Sequence, residues 1–179
     1  MVAAVLTDGD LLLNDCRFEN LGALIGKLLE AGAEITRVNG GVRVRGTGGV
    51  KTIDFTTLPY PGFPTDMQAQ MMTLMSVADG LSIITETIFP QRFLHAGERK
   101  RMGDDIKPVG NSAVVRGIPQ LTGAPLMASD LRASASLVLA GLSAKGRTDV
   151  SRIYHLDRGY EKLDVKLENL GARIWREKE

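Results

Sequence analysis

Met67-Gln68-Ala69-Gln70-Met71-Met72-Thr73-Leu74-Met75-Ser76-Val77-Ala78-Asp79-Gly80-Leu81-Ser82-Ile83-Ile84-Thr85 changes its period at the glycine. Before Gly80, Met67, Met71, Met72 and Met75 recur at helical spacing and read as core filling, whereas Leu81 to Thr85 alternate as a strand does. A further amphipathic stretch ends at Arg101-Met102-Gly103, with short β-rich segments after it at Ile106 and Val114-Val115. The same order occurs on both sides. Upstream, an apolar stretch ends at Thr7-Asp8-Gly9, Leu11-Leu12-Leu13 follows, Leu21 to Leu29 runs toward Gly32, and Ile35 to Val38 pairs with Val42 to Val44. Downstream, Leu131 to Leu142 runs toward Gly146, Thr148-Asp149-Val150 opens a strand, Tyr160 to Leu170 ends at Gly171, and Arg173-Ile174-Trp175 begins the closing pair. Gly9 and Gly32 are 23 residues apart, Gly80 and Gly103 again 23, and Gly146 and Gly171 25, which marks three copies of one unit. Each of these glycines falls where a helix takes a left-handed C-terminal cap.

The unit is helix, strand, helix, strand, strand. A strand before the first helix is supplied by Ile53 to Thr57 in copy two and by Ala124 to Met127 in copy three, but nothing supplies it ahead of Met1. The expectation is a chain cut at its N-terminus from a longer parent, with the third copy stopping inside its last hairpin.

Composition narrows the functional classes. At 179 residues, 44% of them hydrophobic, the chain suits a single domain, 1–179, with repeats at about 1–50, 51–120 and 121–179. A net charge of +1 gives no whole-molecule field for nucleic acid or anionic membranes, so no nucleic-acid or membrane partner is expected and any anion site must be local. The lone Cys16 excludes an internal disulfide framework and a cysteine-based zinc site. No apolar run approaches the roughly 20 residues of a membrane span, and the N-terminus has no basic region of a signal peptide, so a cytoplasmic protein is expected.

The first helices of copies two and three start alike, at Pro64-Thr65-Asp66-Met67-Gln68 and Ala128-Ser129-Asp130-Leu131-Arg132. Thr65 with Gln68 has the spacing of a capping box, and Ser129 suits an N-cap. On spacing alone Asp66 and Asp130 complement the helix dipole. Each is followed by an arginine near the start of the unit's second helix, Arg92 after 26 residues and Arg158 after 28, so the repetition gathers acids and guanidinium groups at one end of the sheet. His95 and His155 lack a metal-ligand partner in register, and Arg99-Lys100-Arg101 reads as a cationic last turn explained by the helix dipole.

Four segments carry a resemblance: Thr57 to Gln70, Ile84-Thr85-Glu86-Thr87-Ile88-Phe89 with Arg92-Phe93, Ala128 to Gly141, and Arg152 to Tyr160. Together they resemble UDP-N-acetylglucosamine 1-carboxyvinyltransferase, an enolpyruvyl transferase of peptidoglycan synthesis, and the chain is similar to most of that family's C-terminal lobe. The resemblance implies an α+β fold of three βαβαββ-type repeats packed as an inside-out α/β barrel, the first repeat truncated at its N-terminus. It implies UDP-N-acetylglucosamine and phosphoenolpyruvate as substrates, no cofactor, no metal, and a missing N-terminal lobe as partner. By resemblance Asp66 is the general base on the sugar hydroxyl, and Asp130 assists proton transfer. Ile88 contacts the UDP-sugar through its backbone, Arg92 lines the cleft between lobes, and Arg132 and Arg158 hold the phosphoenolpyruvate anion. The family's lid cysteine and a lysine clamp lie in the part that this chain lacks, and Cys16 does not match the lid motif, so the isolated chain is expected to be inactive. A non-catalytic truncated module is the alternative from another class. The related 5-enolpyruvylshikimate-3-phosphate synthase shares the repeats, but Phe63 to Gln68 and Asp157 to Tyr160 argue against it.

Overall fold

Side-chain alternation sets the register of the first sheet. Strands β1 (Asp10–Asn14), β2 (Glu34–Val38) and β3 (Gly41–Arg45) pair antiparallel in the order β1-β3-β2. Val42 and Val44 of the central strand are buried, while Arg43 between them faces solvent and reaches Asp10. The two-residue turn Asn39-Gly40, with Gly40 at φ 77°, closes the β2–β3 hairpin. The computed structural model describes residues 1–89 and 92–177.

A second sheet repeats this pattern. It contains β4 (Phe55–Thr56), β5 (Leu81–Thr85), β6 (Asp105–Val109) and β7 (Ser112–Arg116) in the order β4-β5-β7-β6, with β4 parallel to β5 and the other pairs antiparallel. Ala113 and Val115 take the buried positions that Val42 and Val44 hold in the first sheet. The third sheet is only the parallel pair β8 (Pro125–Met127) and β9 (Asp149–Ser151). The final β segment expected at Arg173–Trp175 is not a strand: among the described residues no strand plays the part of β3 or β7 there, so its backbone has no ladder to join.

The helices are α1 (Val2–Leu6), α2 (Gly22–Glu30), α3 (Gln68–Met75), α4 (His95–Arg99), α5 (Leu131–Ser143), α6 (Tyr154–Asp157) and α7 (Leu163–Asn169). Helices α1, α3 and α5, the first of each copy, pack on one another, and every residue of α3 is buried. A helix covered on all sides needs no polar stripe, which is why methionines and leucine surround its axis. Met71, Met72, Leu74 and Met75 have no exposed surface and join Val42, Val44, Ile84 and Val115 in the largest core cluster. Helices inside and strands outside make this α+β fold an inside-out α/β barrel.

Five of the six anchor glycines, Gly32, Gly80, Gly103, Gly146 and Gly171, have positive φ. Gly9 does not. The left-handed residue there is Asp8, at φ 52°, a residue type that tolerates this region, and its carboxylate accepts from Gly48 N–H at 2.7 Å. Close approach, rather than φ, fixes Gly117: a Cβ there would lie 1.5 Å from the Ala78 carbonyl oxygen.

The cationic run after α4 is divided. Lys100 and Arg101 are exposed, but Arg99 is fully buried, ion-paired to Asp104, and donates to Ser76 Oγ at 2.5 Å. The helix dipole does not explain a buried guanidinium; the aspartate does, since an unpaired charge there would be prohibitively desolvated.

Candidate active site

Asp66 lies in a 3-10 turn, Thr65–Met67, leading into α3, and its carboxylate is the meeting point of two arginines. Arg132 Nε donates to Asp66 Oδ1 at 2.5 Å, and Arg92 Nη1 donates to the same oxygen at 3.2 Å. The hydrogen bond from Arg132, with both guanidinium charges nearby, holds the Asp66 carboxyl below the usual carboxylate range despite partial burial. Arg92 also lies over the Phe89 ring, 4.1 Å from its centroid.

Asp130 serves the same arginine from behind. Its Oδ1 accepts from the backbone N–H of Arg132 at 2.9 Å and of Ala133 at 3.0 Å, so Asp130 is the N-cap of α5. The carboxylates of Asp66 and Asp130 therefore both meet Arg132, one at its side chain and one at its backbone. Ser129, the expected cap, instead donates to Asp130 Oδ2 at 3.4 Å; a carboxylate one residue on is the stronger acceptor for the orphan amides. The expected Thr65–Gln68 capping box is absent too. Thr65 Oγ1 donates to Glu86 Oε2 at 2.8 Å and accepts from Arg92 Nη1 at 2.7 Å, which takes its hydroxyl away from the helix amides.

Arg158 falls at the C-terminal end of α6 rather than at the start of a second helix. Its side chain is exposed and, among the described residues, makes no hydrogen bond or ion pair. The loop that carries it lies against the start of α5: a Cβ on Gly159 would meet Leu131 Cδ2 at 2.9 Å, and Tyr160 OH accepts from Gln70 Nε2 at 3.1 Å. Ile88 is half-buried beyond β5, with its N–H committed to Glu86 Oε1 at 2.8 Å.

Glu86 was not singled out by the sequence reading, yet it is fully buried and accepts from four donors. Thr57 Oγ1 at 2.7 Å, Ile88 N–H at 2.8 Å and Phe89 N–H at 3.0 Å converge on Oε1, and Thr65 on Oε2. Burial pushes its carboxyl up, but these hydrogen bonds together outweigh burial and hold it below the usual range. The one available signal was an acid placed between threonines at the end of an apolar strand.

At this end of the barrel two arginines thus converge on an exposed aspartate beside the capped start of α5. Residues 1–167 match the EPSP synthase (3-phosphoshikimate 1-carboxyvinyltransferase) family, and the chain belongs to that family of enolpyruvyl transferases. Within it, relatives named UDP-N-acetylglucosamine 1-carboxyvinyltransferase include one from Desulfosudis oleivorans, 62% identical over 98% of this chain and 42% of its own length. Another, from Anaeromyxobacter, is 56% identical over 99% of this chain and 42% of its own length. The chain thus spans about two fifths of these relatives. Among solved structures, the enolpyruvyl transferase NikO from Streptomyces tendae superposes with a TM-score of 0.88 at 29% identity, over 97% of this chain and 42% of that one. EPSP synthase from Acinetobacter baumannii, with a TM-score of 0.64 at 21% identity over 88% of this chain and 40% of that one, shares the fold.

Proposed function

We propose that this chain is the lobe of a UDP-N-acetylglucosamine enolpyruvyl transferase that supplies the base and anion-holding half of its site, acting in the cytoplasm in peptidoglycan synthesis. The whole segment 1–179 then serves as one domain, with repeats meeting near residues 50 and 120. The observation that carries the reading is the Asp66 carboxylate held between Arg92 and Arg132, in a chain whose relatives bear that name. In the reaction the sugar's 3-hydroxyl oxygen bonds to C2 of phosphoenolpyruvate while C3 takes up a proton. The C3 proton is then lost as the C2–O bond to phosphate breaks, leaving the enolpyruvyl ether and inorganic phosphate.

Asp66 removes the hydroxyl proton. A carboxylate pinned by two guanidinium groups is a weak base, because a proton must displace them. Phosphoenolpyruvate offers Arg132 a competing anion, and drawing Arg132 away raises the proton affinity of Asp66 when the second substrate is in place. Arg158 completes the hold on that anion from the adjacent loop. Asp130 keeps the start of α5 in position and lies beside the reacting carbon. With its N–H committed to Glu86, Ile88 has its carbonyl left for the UDP-sugar.

The test is phosphate release with both substrates present, for the 179-residue chain alone and for the chain joined to the remaining segment of the Desulfosudis oleivorans relative. Turnover is expected only for the joined protein, and Asp66→Asn should lower it about 100-fold or more, the contribution of a positioned base. Undiminished turnover in Asp66→Asn would overturn the assignment.

A further inference from the structure

Three separate segments of the site, the end of β4, the turn before α3 and the loop after β5, meet at the Glu86 carboxylate. Its acceptors are divided between them. Oε1 takes the Thr57 hydroxyl and the backbone amides of Ile88 and Phe89, and Oε2 takes the Thr65 hydroxyl. An ionised carboxylate can only accept, so both hydroxyls must point their protons at it. That leaves the oxygen of each hydroxyl to accept from elsewhere: Thr57 Oγ1 from Thr87 N–H at 3.0 Å, and Thr65 Oγ1 from Arg92 Nη1 at 2.7 Å. The same Arg92 nitrogen touches Asp66. The charge on Glu86 therefore sets the direction of a relay that runs through Thr65 to Arg92 and ends on Asp66.

We propose that Glu86 is a positioning residue for the site, shaping the Ile88–Phe89 loop through Oε1 and orienting Arg92 on Asp66 through Oε2 and the Thr65 hydroxyl. This rests on the functional reading above for its purpose, while the relay itself can be tested without it. The two oxygens can be separated by substitution. In Glu86→Gln the amide oxygen must stay with the Ile88 and Phe89 amides, since an NH₂ facing two N–H groups has nothing to accept them. The NH₂ then faces Thr65, whose hydroxyl becomes an acceptor from it and loses the acceptor for its own proton. The loop is kept and the relay is reversed. Glu86→Ala removes both.

The experiment is NMR on the 179-residue chain as wild type, Glu86→Gln, Glu86→Ala and Thr65→Val. It reads amide hydrogen exchange at Ile88 and Phe89 against amides of α3, the guanidinium resonances of Arg92, and titration with UDP-N-acetylglucosamine. Glu86→Ala should speed exchange at Ile88 and Phe89 by about 10- to 100-fold relative to α3, the loss of hydrogen bonds to a charged acceptor. Glu86→Gln should leave those two amides within a few-fold of wild type. It should loosen Arg92, because Thr65 Oγ1 now accepts from the Gln NH₂ as well as from Arg92 and no carboxylate draws its proton away; the guanidinium signals should move toward those of Thr65→Val, with sugar-nucleotide affinity down about 10-fold. Should Glu86→Ala not fold, Glu86→Gln and Thr65→Val decide. Exchange at Ile88 and Phe89 unmoved in a folded Glu86→Ala, or Arg92 signals in Glu86→Gln identical to wild type, would overturn the proposal. Failure of the isolated wild-type chain to bind the sugar nucleotide would show that binding needs the remaining segment, and the exchange and Arg92 signals still judge the relay.

Discussion

Asp66 and Asp104 each pair with an arginine, yet the two pairs sit in opposite surroundings. The Asp66 side chain is 62% exposed and is shared by two guanidinium groups that reach it from different copies of the repeat. Asp104 has no exposed side-chain surface; it is paired with an Arg99 that is equally buried and accepts from Ser76 Oγ at 2.9 Å. In water the charges of the first pair are well solvated apart, so the contact is cheap to break. In the interior neither charge of the second pair has an alternative, so that pair locks α4 to the end of α3. Identical chemistry thus gives a loose contact in one place and a fixed structural contact in the other, with solvent access as the difference.

Asp104→Ala should have the most severe consequence. It strands a buried guanidinium, and chemical denaturation should show a loss of about 3–5 kcal/mol. A loss under about 1 kcal/mol would mean that water reaches Arg99 freely and the two pairs are alike.

The next effect concerns His95, buried beside Arg99. Desolvation, assisted by the Arg99 charge and opposed by Asp130, lowers its pKa from 6.5 to about 4. The unfolded chain therefore takes up this proton first as pH falls, so the stability present above pH 6.5 is lost progressively down to about pH 4. At about 1.36 kcal/mol per pH unit the loss is on the order of 3 kcal/mol. Denaturation midpoints of His95→Leu, measured across that window, should fall less steeply with acid than those of wild type. Parallel curves would remove His95 from the account.

Smaller effects sharpen the exposed side. Asp130→Ala removes the side-chain cap of α5 and should cost about 1 kcal/mol, read by thermal unfolding, with Asp130→Asn largely retaining the cap. Asp66→Ala should change stability by less than about 1 kcal/mol, read in the same way. A larger loss at Asp66 than at Asp130 would show that the two-arginine contact holds the fold together.

Much of the architecture was legible because it depends on local rules. Period changes at Gly80 and Gly146, together with five glycines of positive φ, marked the first helix, the strand after it and the second helix in each copy, and repetition turned weak signals into a consistent pattern. Asp66, Arg92 and Arg132 could be named from their place in the repeats and motifs. Their contacts could not, because they join residues 26 and 66 positions apart through side-chain geometry. The caps were misread for one reason in both cases. Spacing identifies a hydroxyl near a helix start but does not reveal a carboxylate that competes for it, Glu86 at Thr65 and Asp130 beside Ser129. Arg99 was misread because its neighbours Lys100 and Arg101 are solvated, and a charge run gives no sign of which member turns inward. The closing strand at Arg173 failed because β structure depends on a partner that a single segment cannot provide.

The envelopment of α3 bears on how such a molecule could arise and be taken apart. Its eight residues are covered by α1 from one copy, α5 from another, and strands of its own. Cut out alone, the middle copy would expose to water the part of the methionine- and leucine-rich α3 surface that α1 and α5 cover. A cut drawn at a repeat junction would therefore uncover α3 on the sides that α1 and α5 now cover.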